Sequence, residues 1–370
     1  MTYKVMPVSN SRQMKDFLML PFVIYRHDPN WVPPITSEVR RIINEKINPY
    51  FNNAQIKFFV CYKNNTAVSR TAIIINRLHH EKFGVNAVFF GFFESINDPD
   101  AVRYLFDEAE SYCKSQGSAL LEGPFNPNHY SELGLQVNKF GTPPTFFQPY
   151  NPEYYTDLLE ATGFHVSSRF HSWKNENIRE YILDHYGIQT ALEVDGYTVR
   201  SFSMKNIRAE LEIIREVNNN AFSSNWHFLP LSREEYLFSS KFLSLITYPE
   251  LIKIVEHNGS PAGVLICVLD INPLLKKMNG KVGPIKYIRF LYERRKIRKL
   301  IIYSVGIKKE YQHTPVFQLI FNAFCQIILN YNVLETTWLS EENIPAVKAT
   351  DRLGLKPDKQ FVIYEKYLDG

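Results

Sequence analysis

Two periodicities of apolar residues run along this chain, and they come in the same order in both halves. Residues 3–8 read as a strand, and 11–25 and 36–47 carry helical spacing. "KFFVCYK" and "AVSRTAIIINR", both rich in aromatic and β-branched residues, flank the turn Asn64-Asn65 and predict a hairpin. "NAVFFGFFES", 86–95, predicts a third long strand. Asp98-Pro99 then supplies a cap with proline at the first helical position. Val102, Leu105, Phe106, Ala109 and Cys113 follow on one helix face, with Gly117 as the stop. A short buried strand, "ALLEG", and a long loop end this block.

The second half repeats the sequence of elements. "GYTVRSFS", 196–203, is strand-like, and "IRAELEIIREVNNNAF" and "SREEYLFSSKFLSLI" have helical spacing. "LIKIVEH" and "PAGVLICVLDI" predict a hairpin around Asn258-Gly259, and "KLIIYSVGI" predicts the third long strand. Thr314-Pro315 opens a helix with Val316, Leu319, Ile320, Ala323 and Ile327 on one face, and "VLETTW" follows as a strand. Each half then closes alike. "NPEYYTDLLEATGF" from Asn151 and "NIPAVKATDRLGL" from Asn343 both run from an Asn cap through an early Pro to a Gly stop, with an aromatic-rich strand after each. One capped helix is common; two copies in matching order point to duplication. The expected organisation is a lobe over 1–175, a linker over 176–195 and a lobe over 196–370.

Composition narrows the function classes. Of 370 residues, 45% are hydrophobic and 22% charged, and no apolar run reaches the roughly 18 residues of a membrane span. "MTYKVMPVSN" has no secretory pattern, so a cytoplasmic location is expected. Cys61, Cys113, Cys267 and Cys325 lie far apart with no CxxC pairing and read as reduced core residues. No metal site is expected. A net charge of +4 is too small to argue for nucleic acid by itself, and no P-loop, HExxH or GxSxG occurs.

The element order of each half, strand, two helices, hairpin, strand, helix, strand, helix, strand, resembles the GNAT superfamily of acyl-CoA N-acyltransferases. Its most specific piece lies near the C-terminus. Family members commonly have Asn, Ala, Tyr, Gly and Phe where this chain has Asn343, Ala346, Thr350, Gly354 and Leu355. With "WVPP", "FGFFES" and "EGPFNPN", the chain looks most like uncharacterised bacterial tandem GNAT-like proteins. The resemblance implies an α/β fold of two tandem lobes, each a mostly antiparallel mixed sheet flanked by helices.

It also implies an acetyl-CoA or other acyl-CoA donor, held by free amides at a helix N-terminus, and a small-molecule amine acceptor. In the second lobe the corresponding loop is "IKKEYQHTPVFQ". Ile307, Tyr311, Gln312, His313, Thr314, Val316 and, further on, Asn343 are the donor-binding candidates. Tyr311 and Gln312 take the usual Tyr and Arg positions, but His313 and Pro315 replace expected glycines, and Pro315 has no amide to donate. In the first lobe "ESINDPDAVRY" sets Asp98 and Asp100 where phosphates would be repelled.

For the chemistry, the family implies a base, often a Glu on the fourth strand, and an acid such as a helix Tyr. Thr350 replaces that Tyr in the second lobe, whose fourth strand has no carboxylate; the first lobe offers Glu94, with Tyr154 and Tyr155. Bland readings stand beside these, a solvated strand end for Glu94 and aromatic packing for the tyrosines. The insert 123–150 reads either as a cover for a substrate pocket, with His129, Tyr130 and Glu132 facing it, or as a packing loop. Trp226 and His227 in "NWHFLP" fall where this superfamily often binds the acceptor, or are structural. The basic run 276–299 reads as a solvated face, with the CoA 3′-phosphate, an acidic partner or RNA as alternatives.

The leading reading is direct acyl transfer from a CoA donor to an amine. Its rivals are a catalytically degenerate binding protein without turnover and a Fem-like transferase using aminoacyl-tRNA.

Overall fold

The computed structural model describes residues 2–368. Two compact units emerge, one of Met1–His171, Leu275–Val282 and Lys359–Gly370, the other of Ser172–Leu274 and Gly283–Asp358. In the first unit β1 (Tyr3–Pro7), α1 (Ser11–Ile24), β2 (Ala54–Lys63), β3 (Thr66–Asn76), β4 (Ala87–Ser95) and β5 (Leu120–Gly123) build most of a mixed sheet. β1 to β4 pair antiparallel in chain order, and β5 joins β4 in parallel. The predicted hairpin turn is present, with both Asn64 and Asn65 at positive φ, the backbone hand that a two-residue turn between twisted strands requires. A short helix, Arg77–Phe83, follows β3 and was not evident in the sequence pattern.

The helix Pro99–Ser115 lies under this sheet and buries the predicted face: Ala101, Val102, Leu105, Phe106, Ala109 and Cys113 are all within 1% of full burial. β4 carries a bulge. Arg70 faces Glu94 and Ala72 faces Gly91, so Phe92 and Phe93 together oppose Thr71. Phe92 takes a φ of +51° there, and its N–H donates to Asn126 Oδ1 at 2.6 Å. Gly91 has no side chain because the backbone of the following insert crosses it: a Cβ would stand 1.8 Å from the Phe125 carbonyl oxygen.

The second unit holds strands Tyr197–Ser201, Ile252–His257, Ser260–Leu269, Lys299–Ile307 and Val333–Thr336, paired in that order, antiparallel except for the last pair. Its helix Val316–Ile328 buries Val316, Leu319, Ile320 and Ala323. The same plan therefore occurs twice among the described residues.

Three further features differ from the sequence reading. The expected linker contains the helix Ile178–Tyr186, whose Ile178 and Ile182, four residues apart on one face, are fully buried in the second unit. Asn151 does not cap the helix Tyr155–Glu160; its buried amide instead accepts from Gln136 N at 2.8 Å and donates to Gln136 O at 3.1 Å. Asn343 does cap its helix, accepting from Ala346 N. The third difference is connectivity. The closing strand Lys356–Tyr367 contributes its residues from Lys359 onward to the first unit, where Tyr364 pairs with Gly123 and Tyr367 with Leu120 of β5. In turn, the end of strand His165–Asn175 pairs with Val333–Thr336 in the second unit.

Candidate functional site

Glu94, the penultimate residue of β4, is turned inward by the bulge just before it. Its side chain is 15% exposed. Tyr25 donates to Glu94 Oε2 at 2.9 Å and Tyr155 donates to the same oxygen at 2.7 Å, while an Arg70 nitrogen stands 3.7 Å from Oε1. Burial raises the Glu94 pKa above the ordinary carboxylate value, and the Arg70 charge and the two phenols offset this only in part.

The partners are themselves fixed. The Tyr155 hydroxyl accepts from Ser95 N at 2.8 Å. Arg70 lies over the Phe17 ring at 4.5 Å and donates to the Phe17 carbonyl. Trp31 stacks on Tyr25 with ring centres 5.0 Å apart, and the Tyr150 hydroxyl donates to Asp28 at 2.7 Å. Tyr154, the sequence candidate for the acid, reaches past Glu94 and donates to the Ser95 carbonyl at 2.9 Å; its pKa is pushed up to about 12 by burial and by Glu94. It is thus Tyr155, its neighbour on the helix, that touches the carboxylate.

The insert folds back beside β4 as a two-stranded ribbon, with Phe125 paired to Leu133 and Asn126 to Glu132. Glu132 keeps much of its surface open to solvent, yet protein crowds its carboxyl, and its pKa rises to about 7. Desolvation is the main cause and the Glu94 charge adds to it, against a hydrogen bond from Asn126. Each of these carboxyls disfavours negative charge on the other, so a cation such as an ammonium group is favoured beside them. His129 and Tyr130 sit in the turn of this ribbon with ring centres 4.2 Å apart, and Tyr130 N donates to Asn128.

The donor candidates belong to the other unit. After Ile307 the chain makes a 3-10 turn, Lys309–Tyr311, and the amides of Tyr311, Gln312 and Thr314 donate to the carbonyls of Lys308, Lys309 and Tyr311. Three amides of the expected cradle are therefore engaged within the turn. The helix behind it, starting at the fully buried Val316, has no acidic residue in its first turn, so its N-terminal end stays electrostatically suited to an anion. His313 follows the turn, and Asn343 is occupied as a helix cap. Trp226 and His227 are half-buried neighbours with ring centres 4.0 Å apart.

In the first unit the equivalent helix start is already filled. Asp98 accepts from Lys63 Nζ at 2.7 Å, Tyr3 at 2.8 Å and Ala101 N. Burial would raise its pKa, but Lys63 and Tyr3 outweigh this and hold it below the ordinary value. The chain's own carboxylate thus takes the free amide of this helix start and leaves a negative charge there, which disfavours a second anion.

No family model matches the sequence. Two curated proteins align with it end to end. One is Protein YghO of Escherichia coli K12, 26% identical over 97% of this chain and 94% of its own. The other is the bacterial ceramide synthase of Caulobacter vibrioides, 26% identical over 98% and 97%. Among solved structures, a tandem GNAT protein from the clavulanic acid biosynthesis pathway superposes with a TM-score of 0.59 over 100% of this chain and 99% of that one, at 12% identity. Low identity with full coverage carries the fold and not the activity. In fold, this chain is similar to tandem GNAT proteins.

Proposed function

We propose that the protein is an N-acyltransferase in which Glu94 takes the proton from an amine acceptor. The observation that carries this is the Glu94 carboxyl itself, at the fourth-strand bulge of a GNAT-like unit, with a raised pKa and two phenols and a guanidinium fixing its orientation. Arg70 and the tyrosines orient the carboxylate, and Glu132 draws the ammonium form of the acceptor towards it. Transfer of one ammonium proton to Glu94 frees the nitrogen lone pair to attack a thioester carbonyl; the carbon–sulfur bond then breaks, and the second nitrogen proton passes to the departing sulfur, leaving an amide and a free thiol. The donor proposed is an acyl-CoA, the usual donor of this superfamily. The Caulobacter relative named a ceramide synthase supports a long-chain amino alcohol as acceptor, because a ceramide is the N-acyl derivative of such an amine.

The test is turnover of acetyl-CoA and a long-chain acyl-CoA with long-chain amino alcohols. Glu94→Gln keeps the shape and loses the base, so the rate is expected to fall by about 10²–10⁴. An unchanged rate removes Glu94 from this role. Calorimetry with the same donors reads the donor place: loss of binding in Thr314→Glu assigns it to the second unit, loss in Asn97→Glu to the first.

A second reading is favoured by one observation, the Asp98 carboxylate bound at the first unit's helix start. It supports a degenerate GNAT-like binding protein, and absence of binding by any acyl-CoA at millimolar concentration is its expected signature.

A further inference from the structure

We infer that the helix Pro284–Glu293, with the basic turn that follows it, is a docking face for an anionic lipid bilayer. Phe290, 5% exposed, is the buried residue of this helix and anchors it to its unit. Away from that anchor, Ile285 is 84% exposed, Ile288 68% and Tyr292 62%. At the helical advance of about 100° per residue these three side chains fall within roughly 60° of one another, so they form one apolar stripe. Branched aliphatic side chains exposed to this extent in a line gain nothing from water and a great deal from the boundary of an acyl layer.

Charge names the kind of layer. Residues 283–298 contain Lys286, Arg289, Arg294, Arg295, Lys296 and Arg298 against a single acid, Glu293, which is paired with Arg289 at 2.7 Å. Arg294 lies over the Tyr248 ring at 4.8 Å and donates to the Ser244 carbonyl at 2.5 Å, which fixes the basic turn to its unit. Lys296 lies over the Tyr292 ring at 4.7 Å, so a cation and an amphipathic aromatic share the rim of the stripe. This pairing of an apolar stripe with cationic flanks is what an in-plane interfacial helix needs. Among the described residues no helix is long and apolar enough to cross a membrane, so contact is along the surface. RNA would use the cations but has no use for Ile285 and Ile288, which offer neither hydrogen bonds nor stacking.

The inference does not rest on the acyltransferase reading, and its test contains neither donor nor acceptor. The full chain is floated with vesicles of phosphatidylcholine alone and of phosphatidylcholine with about one third phosphatidylglycerol. Binding is expected only to the second, weakening as salt rises. Ile285→Asp and Ile288→Asp are each expected to weaken it about tenfold or more, and Arg295→Gln and Lys296→Gln about fivefold each. Their exposure leaves the thermal unfolding midpoint unchanged, so lost binding is not lost folding. Ile288→Trp provides a gain, with tighter flotation. No flotation with anionic vesicles overturns the inference, as does binding insensitive to both Ile→Asp variants. Retention on transfer RNA without flotation also overturns it and turns the face into a polyanion site.

Discussion

Burial pushes the Glu122 carboxyl up to about 8 from 4.5, with the charge of Glu365, its register partner across two antiparallel strands, adding to the shift. The folded protein therefore binds this proton more tightly than the unfolded chain does. Stability from it is complete below about pH 4.5 and is lost as pH rises through about 8. Glu122→Gln, which does not titrate, is expected to flatten the fall in unfolding temperature across that window and to exceed the parent above pH 8. A parallel fall in both proteins would refute it. Tyr155→Phe acts at the candidate site. It strips Glu94 of one donor and leaves the buried Ser95 amide without its acceptor, a cost of about 2 kcal/mol in urea unfolding. Glu94 stood out as a candidate in the sequence because it ends a strand on which the resemblance implies a base. Its partners were not. Tyr25 and Arg70 lie 69 and 24 residues away and meet it only through strand register and the path of α1. Tyr154 and Tyr155 are adjacent in sequence, and only the phase of their short helix decides which hydroxyl reaches the carboxylate.

At the scale of elements, the bulge in β4 and the insert behind it depend on each other. Gly91 admits the Phe125 carbonyl, and Asn126 then accepts from Phe92 at the residue with the left-handed φ. Gly91→Ala is expected to cost about 3 kcal/mol, since backbone must move to relieve the overlap, and to disorder the ribbon that carries Glu132. Denaturant unfolding measures the first effect, and loss of amide protection in 123–136 the second. Hairpins, strand centres and the long helices were predictable because periodicity and turn chemistry act locally. The loop before Val316 was predictable in its missing glycines but not in its turn, because hydrogen bonds from Tyr311, Gln312 and Thr314 to nearby carbonyls leave no side-chain pattern.

At the scale of the molecule, the strand Lys356–Tyr367 decides how the chain can be divided. Phe361, Val362, Ile363 and Tyr364 are each within 1% of full burial in or beside the core of the first unit. A chain ending at Asp358 is expected to lose the cooperative unfolding of the first unit, and the piece 1–175 alone to be insoluble; adding a peptide of 356–368 should restore part of the first. A stable, cooperatively folding 1–175 would contradict this. Nothing in the local pattern of "KQFVIYEKY" could have revealed the exchange, because an apolar strand reads the same whichever sheet receives it.

That exchange also has a consequence in time. β5 and its partner strand are on the order of 240 residues apart, and a ribosome adds roughly 5–20 residues each second. During synthesis the first sheet waits with an open, hydrophobic edge for some ten seconds or more, until its last strand emerges. The first half of the chain to be made is therefore the last to be finished, and the cell must shield that edge meanwhile.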